Sequence, residues 1–344
     1  MMPSVDEVLV IGRDEVRRLL PMERCIDVMA DVLADLARGS AVNPLRTAIG
    51  VSDGQGFLVM MPGGLGTSSR SAASGGSAAS GAFGAKVLSV FPGNRAAGLE
   101  SHQGLVVLFE SEHGRPTTIL DASEITAVRT AAVSGFATRA LAVPGATDLA
   151  IIGSGTQART HLEAMRAVRG ITHVRAWSPT RHRLAAFAEE ARAQTGLRVE
   201  VAASAREAVD GAQIVCTVSS ATEPVLEGAW LSAGTHVNAV GSSVPTAREV
   251  DGEAVRRARV FVDRRESAMH ESGDLLAAIR EGMIDESHIS AELGEVLIGA
   301  AEGRRAPDEV TLFESLGLAV EDLAAAAFVA AAAREQDAGT AVTL

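Results

Sequence analysis

Residues 149–158 read LAIIGSGTQA, which sets Gly153-x-Gly155-x-x-Ala158 directly after an apolar run and directly before a helix-period segment. The first glycine permits a tight strand-to-helix turn, the second lets backbone approach a pyrophosphate, and the alanine lets helix and strand pack closely. The helix start adds unsatisfied N–H groups and a partial positive charge suited to phosphate. Alone the pattern is weak, since a glycine-rich turn that holds nothing reads the same way. Its surroundings strengthen it. DLAII, HVRAW, RVEVA, QIVCT, HVNAV and RVFVD are short apolar runs, several separated by helix-period segments. That alternation calls for a doubly wound parallel sheet, so the expected class is α/β, Rossmann-type.

The nucleotide can be read further at the end of the second strand. A site selective for NAD wants Asp or Glu there, to bind the ribose 2′-hydroxyl. This chain has Ser178, followed by Thr180, Arg181 and Arg183. No carboxylate repels a 2′-phosphate and guanidinium groups are available to bind one, so NADPH is expected in preference to NADH. The alternative is that these arginines are merely solvated at a helix start.

The N-terminal part reads differently. Residues 14–38 carry apolar positions at helical spacing, interrupted near Pro21. Short runs at 57–61, 83–91 and 104–109 read as strands, giving an α+β domain with a mostly antiparallel sheet. Asp121, with Glu124 three residues on, caps a helix running through ITAVRTAA, and GLAVEDLAAAAFVAAAA is a long alanine-rich helix expected to pack back on the N-terminal domain. Between the first two strands, nearly every residue of 63–84 is Gly, Ser or Ala, which reads as a flexible loop or a flap over a pocket.

Length and composition narrow the function. A chain of 344 residues has room for two domains with real cores. Its net charge of −12 and lack of a basic cluster exclude a phosphate-backbone footprint, so no nucleic-acid partner is expected. Cys25 and Cys216 are far apart in apolar settings and read as buried thiols, and no metal-ligand spacing is present. The acidic N-terminus lacks a signal-peptide pattern and no apolar run is long enough to span a bilayer, so a cytoplasmic protein with no membrane partner is expected. His102 and His161 are isolated and read as ordinary polar residues.

One residue stands out. Of 31 basic residues, Lys86 is the single lysine, and it lies in the apolar run AKVLSVF. An edge-strand lysine that discourages aggregation is one account. The other is chemical: an ammonium can hold a carboxylate and also give up a proton when desolvated, which a guanidinium cannot do. Arg46 and Arg129 also stand in apolar or helix-start settings, where each alone fits a structural role.

Seven ordered segments carry a wider likeness: PLRT (44–47), MMPGG (60–64), GAKVLSVFPGN (84–94), ITAVRTAA (125–132), IIGSGTQA (151–158), VNAVGSSVPTAREVD (237–251) and EVTLFESLGLAVEDLAAA (309–326). Together they resemble the ornithine cyclodeaminase/μ-crystallin family along essentially the whole chain. The resemblance implies a homodimer in which residues 1–125, completed by 315–344, form a substrate-binding and dimerisation domain, and residues 126–314 form the Rossmann domain. It further implies an amino or imino acid bound in a cleft, with its carboxylate clasped by Arg46, Lys86 and Arg129. Met61, Ser101 and Ser243 would also face the substrate, and Lys86 would be catalytic. On the cofactor side it implies Thr130, Thr156, Gln157, Thr217, Val218, Ser219, Val240, Ser242, Ser315 and Leu316, besides the glycine loop and Ser178.

Family members include cyclodeaminases, imine reductases, alanine dehydrogenases and a hormone-binding crystallin. Two departures bear on the choice. Where cyclodeaminases carry a carboxylate after the glycines, this chain has Gly241-Ser242-Ser243, and where they hold the distal amine with an acid it has Val59. A buried second ammonium without a counter-charge is costly, so a diamino acid fits poorly. The expected activity is NAD(P)H-dependent reduction of a small imino acid of the Δ1-pyrroline-2-carboxylate or ketimine type. The alternatives are an ornithine or lysine cyclodeaminase, an amino-acid dehydrogenase, and a non-catalytic binding protein.

Overall fold

A computed structural model describes residues 7–51, 54–66 and 82–343; most of the Ser/Gly/Ala-rich insert (67–81), read above as loop or flap, lies outside them. The chain begins with β1 (Glu7–Ile11), α1 (Arg13–Leu19) and α2 (Met22–Ala37). The break between the helices falls at Pro21, which sits at the N-cap of α2 where its missing N–H costs nothing. Five strands follow: β2 (Thr47–Gly50), β3 (Phe57–Gly64), β4 (Ala82–Val90), β5 (His102–Glu110) and β6 (Pro116–Asp121). Then comes α3 (Ala122–Leu141), whose start is capped by Asp121 Oδ1 accepting the Glu124 N–H at 2.7 Å.

The next stretch alternates strand and helix: β7 (Asp148–Ile152), α4 (Thr156–Val168), β8 (His173–Trp177), α5 (Arg181–Thr195), β9 (Val199–Val201), α6 (Ala205–Val209) and β10 (Ile214–Thr217). It continues through β11 (His236–Ala239), α7 (Gly252–Arg257), β12 (Arg259–Val262), α8 (Arg265–Glu271), α9 (Gly273–Arg280), β13 (Ile289–Glu292), α10 (Leu293–Leu297) and β14 (Thr311–Glu314). The chain closes with α11 (Ala319–Glu335) and β15 (Thr340–Thr343). It divides into two compact units, one of Met1–Arg129 with Leu318–Leu344 and one of Thr130–Gly317, so Ser315 and Leu316 belong to the second.

In the first unit the sheet order is β15-β1-β6-β5-β4-β3-β2, antiparallel except for the β1–β6 pair. Side chains alternate between its faces with period two. Met61, Lys86, Leu88, Val106, Leu108 and Leu120 are buried, while their sequence neighbours Met60, Leu105 and, on β4, Phe83 are exposed. Helix α11 packs on the buried side against β3, β4, β5 and α2. Two glycines let it come close. Gly63 and Gly84 are register partners, and a Cβ on Gly63 would lie 3.2 Å from Ala319 Cβ and from Leu323 Cδ1, while one on Gly84 would stand 3.1 Å from Leu323 Cδ2.

The second unit is a fully parallel eight-stranded sheet ordered β13-β12-β14-β11-β10-β7-β8-β9. Its central strands are buried throughout, with Ala150, Ile152, Val215, Val237, Val260 and Leu312 sharing one core, as a sheet covered on both faces requires. From β7 the chain winds outward through β8 and β9, then returns to the other side of β7 at β10. That reversal makes the β7/β10 boundary the topological switch point, where such folds bind ligands at the strands' carboxyl ends. Among the described residues no helix is long and apolar enough to cross a membrane.

Candidate active site

Lys86 lies in the middle of β4, opposite Met61 on β3 and Val106 on β5, and is only 2% exposed. Its Nζ meets Asp322 Oδ2 at 2.6 Å and donates to Thr126 Oγ1 at 3.4 Å. Arg129, also buried, uses the same carboxylate: its Nε donates to Asp322 Oδ1 at 2.8 Å and its Nη1 to Glu321 Oε2 at 2.9 Å. Burial brings the Lys86 ammonium down to about 8, helped by Arg129 and Arg46 and opposed by Asp322. Burial alone would raise the Asp322 carboxyl, yet Arg129 and Lys86 hold it below its usual range. Three cations and two carboxylates thus share the site. Lys86 and Arg129 converge on the chain's own acids, and the Arg46 cation acts on Lys86 from nearby.

Neither acid was singled out in the sequence. Glu321 and Asp322 stand in the first turn of α11, where adjacent acids read simply as helix-start residues. Glu321 does serve that purpose, since its Oε2 also accepts the Leu318 N–H at 3.1 Å. Asp322 instead turns toward the sheet. Along the same sheet face run Val59 and Leu88, register partners one rung beyond Met61 and Lys86. Met61, Leu88 and Ala319 form a small apolar cluster with Val59 and Val90 against it, so the surroundings of the ammonium on that side are hydrocarbon.

In the second unit the glycine loop has the form the sequence predicts. Gly153 adopts φ +139°, a conformation few other residues tolerate, and Gly155 caps α4 with no side chain satisfying the first N–H groups. A Cβ at Gly155 would meet nothing within 4 Å, so the helix start opens on free space. Thr156 is exposed, Gln157 half-buried and Ala158 buried against the sheet. Arg159, a residue with no local motif to mark it, steadies the loop by donating from Nη1 to the Ser154 and Gly155 carbonyls at 3.0 and 3.1 Å.

At the end of β8, the buried Ser178 accepts a hydrogen bond from Ser154 Oγ at 3.0 Å. Thr180 is half-buried as the N-cap of α5. Arg181 is exposed, but two of its N–H groups donate to the Ala202 and Ala203 carbonyls at 2.9 and 2.8 Å, so only part of its guanidinium faces outward.

The ends of β10, β11 and β14 and the loops after them carry the remaining expected cofactor residues except Thr130 of α3, and buried carboxylates pin these loops. Glu249 accepts the Ser219 N–H at 2.6 Å and the Gly241 N–H at 2.5 Å, and burial pushes its carboxyl up to about 7. Glu314 accepts from the hydroxyls of Ser242 and Ser272, both at 2.7 Å. Asp263 Oδ2 accepts the N–H groups of Leu316 and Gly317 at 2.8 and 2.7 Å. Thr217 Oγ1 and Ser315 Oγ are buried without a hydrogen-bond partner among the described residues. Val218 and Val240 are buried beside them, Ser243 half-buried, and Thr130 buried at the start of the unit. A switch-point crevice with a bare helix start, an open glycine and two orphaned hydroxyls fits a dinucleotide.

One expected residue, Ser101, and several other polar groups lie outside both clusters. Ser101 sits before β5, its Oγ 3.0 Å from His102 Nδ1, and its carbonyl accepts the Phe91 N–H, which puts it five residues along from Lys86, about 16 Å away. His161 ties α4 to α3 through Ser134 Oγ at 3.0 Å and is a buried structural residue. Glu110, Glu112 and His113 could bring ligand atoms within 4.8 Å of one another, but the Glu110 carboxylate is already accepting N–H groups from Glu112, His113 and Arg115, as the lock of a surface turn.

Residues 6–337 match the family described as "Ornithine cyclodeaminase/mu-crystallin family". The chain belongs to that family. Its relatives include the ketimine reductase mu-crystallin of Mus musculus, 40% identical over 291 residues that cover 85% of each chain. Among solved structures, the Δ1-pyrroline-2-carboxylate reductase of Thermococcus litoralis, in complex with NADH and L-proline, superposes with a TM-score of 0.91 at 37% identity, covering 97% of this chain and 100% of that one. An archaeal alanine dehydrogenase dimer with bound NAD gives 0.89 at 30% identity, over 98% and 99%. Relatives in this family thus include reductases and an alanine dehydrogenase.

Proposed function

We propose that this family member is a nicotinamide-dependent reductase of small imino acids, acting on the C=N bond of a monocarboxylate such as Δ1-pyrroline-2-carboxylate. The observation that carries the reading is the buried Lys86 ammonium, brought near neutrality beside Arg129 and with hydrocarbon along the rest of its sheet face. The paired Lys86 and Arg129, with the Arg46 cation nearby, suit one substrate carboxylate. Both the ketimine reductase and the pyrroline carboxylate reductase relatives support the same chemistry.

When bound, the reduced nicotinamide supplies the hydride that the C=N carbon receives. The chain's own residues do the rest. Arg129 and Arg46 offset the substrate carboxylate and fix its orientation. Lys86 gives its Nζ proton to the imine nitrogen and regains one from solvent. An acid near pH 8 stays charged at neutrality yet parts with its proton readily, which is what general acid catalysis asks. The apolar surface of Val59, Met61 and Leu88 accepts an uncharged remainder of the substrate and offers a second ammonium no counter-ion.

In the second unit, the bare α4 start and Gly155 would hold the pyrophosphate, with Thr217 and Ser315 offering their hydroxyls. NADPH is the preferred form, because β8 ends in Ser178 rather than an acid and Arg181 and Arg183 follow. The protein works as a homodimer: Ile49, Leu58, Met60, Phe83 and Leu105 leave the outer face of the first unit's sheet apolar and exposed, a surface suited to a second copy.

Loss of NADPH absorbance with a panel of substrates tests the reading. Turnover is expected with Δ1-pyrroline-2-carboxylate and related cyclic ketimines. Turnover confined to pyruvate plus ammonia, ammonia release from ornithine, or tight NADPH binding with no turnover would each overturn it.

A further inference from the structure

Asp322 is the one carboxylate among the described residues that joins both buried cations of the first unit. Its Oδ2 stands 2.6 Å from Lys86 Nζ and its Oδ1 accepts from Arg129 Nε at 2.8 Å. It is fully buried, and nothing in the proposed reaction uses it directly. A buried acid is costly to keep, and Arg129 already has Glu321 as a partner through Nη1 at 2.9 Å. The helix is also brought to the sheet by Gly63 and Gly84, small residues that allow the approach of Ala319 and Leu323 on either side of this acid.

We propose that Asp322 is a positioning residue of the reaction: by holding Nζ of Lys86 and Nε of Arg129 from a single carboxylate, it fixes the spacing between proton donor and carboxylate clamp and keeps the donor charged. The inference rests on the reading of Lys86 as the acid, and it adds the group that makes Lys86 fit for that task. The neighbours of Lys86 explain why such a group is needed. From α3 come Thr126 and the Arg129 cation; from the segment before β2, the Arg46 cation; from α11, Glu321 and Asp322. Cys25 of α2 faces Arg129 and Glu321 as an uncharged thiol, because burial pushes it up. Burial and two like charges act to strip the Lys86 proton, and Asp322 opposes them.

The signs follow. Removing the Asp322 charge lowers the pH at which Lys86 loses its proton, so the alkaline limb of activity moves to lower pH. A residue that merely filled space would reduce activity equally at every pH and leave that limb in place. Because Lys86 is the only lysine, protein labelled with [13Cε]lysine has a single side-chain resonance, and its titration reads Lys86 without any reaction.

Wild type, Asp322→Asn and Asp322→Glu are compared by this titration and by kcat/KM against pH. Asp322→Asn should move the lysine midpoint down by a pH unit or more, move the alkaline limb with it, and cut kcat/KM at pH 8 ten- to a hundredfold. Asp322→Glu, which keeps the charge, should return both midpoints most of the way. A lysine midpoint that stays put in Asp322→Asn overturns the proposal. A lysine midpoint that moves while the kinetic limb does not overturns the acid role of Lys86 instead. If Asp322→Asn fails to fold, Asp322→Glu still decides: a lysine midpoint near wild type with the alkaline limb beside it supports the proposal, and a lysine midpoint that falls although a carboxylate is retained overturns it.

Discussion

Gly153 and Val218 abut at the switch point: a Cβ placed on Gly153 would stand 2.6 Å from the Val218 carbonyl oxygen. The loop after β7 and the loop after β10 therefore cannot part to admit a side chain without moving the glycine turn. With φ at +139°, Gly153→Ala adds backbone strain to the clash. It should cost about 1–3 kcal/mol of stability. It should also weaken nucleotide binding at least tenfold, read by thermal melting and calorimetry.

Lys86→Arg keeps a cation but forces a larger, planar group into a slot that admits only a buried ammonium. The guanidinium cannot give up a proton near neutrality. Turnover with a cyclic ketimine should fall by a factor of roughly 10² to 10⁴. Calorimetric affinity for NADPH, set by residues of the other unit, should be unchanged.

Burial lowers His161 to about 4, so it is neutral in the folded protein over a range where the unfolded chain is protonated. Its contribution to stability is complete above about pH 6.5 and is lost as pH falls toward 4. Glu249 runs the opposite way, because its raised carboxyl binds a proton in the folded state first. Only a difference between variants isolates the histidine. The gap in melting temperature between wild type and His161→Gln should be widest near pH 7.5 and should shrink steadily toward pH 4.5.

Ser178→Asp puts a carboxylate where the 2′-phosphate of NADPH would lie, next to the partly committed Arg181. Charge repulsion should lower kcat/KM for NADPH about a hundredfold while leaving NADH level or improved. An equal loss with both nucleotides would show that this position does not choose between them.

Charges on the exposed sheet face should split the proposed dimer. Leu58→Lys combined with Phe83→Lys replaces two of its apolar side chains. Light scattering should then give half the wild-type mass at the same concentration, with the near-neutral melting temperature lowered.

The glycine loop, the strands from DLAII to RVFVD and the break at Pro21 were all legible, because each is a local pattern whose period or turn chemistry is written in consecutive residues. The strands β13 (ISAE) and β14 (TLFE) were not, because each closes on a glutamate and so reads as the edge of a polar segment. Nor could their place be read: β14 inserts between β11 and β12, a pairing across a gap of more than 45 residues that nothing local announces. The candidate site shows the same division. Lys86 was visible as an exception to the chain's use of arginine, whereas Asp322 was hidden because an acid in a helix's first turn needs no other explanation. Glu249, Asp263 and Glu314 act on loops far from them in sequence, so only the folded sheet reveals what they hold.

The division into two units has a spectroscopic corollary. The chain has no tyrosine, and both indoles, Trp177 and Trp230, belong to the Thr130–Gly317 unit. Intrinsic emission is therefore blind to the other half of the molecule, while the lone lysine reports on that half alone. Denaturation followed by both signals would reveal whether the two halves melt as one body or in turn, with no dye and no substitution.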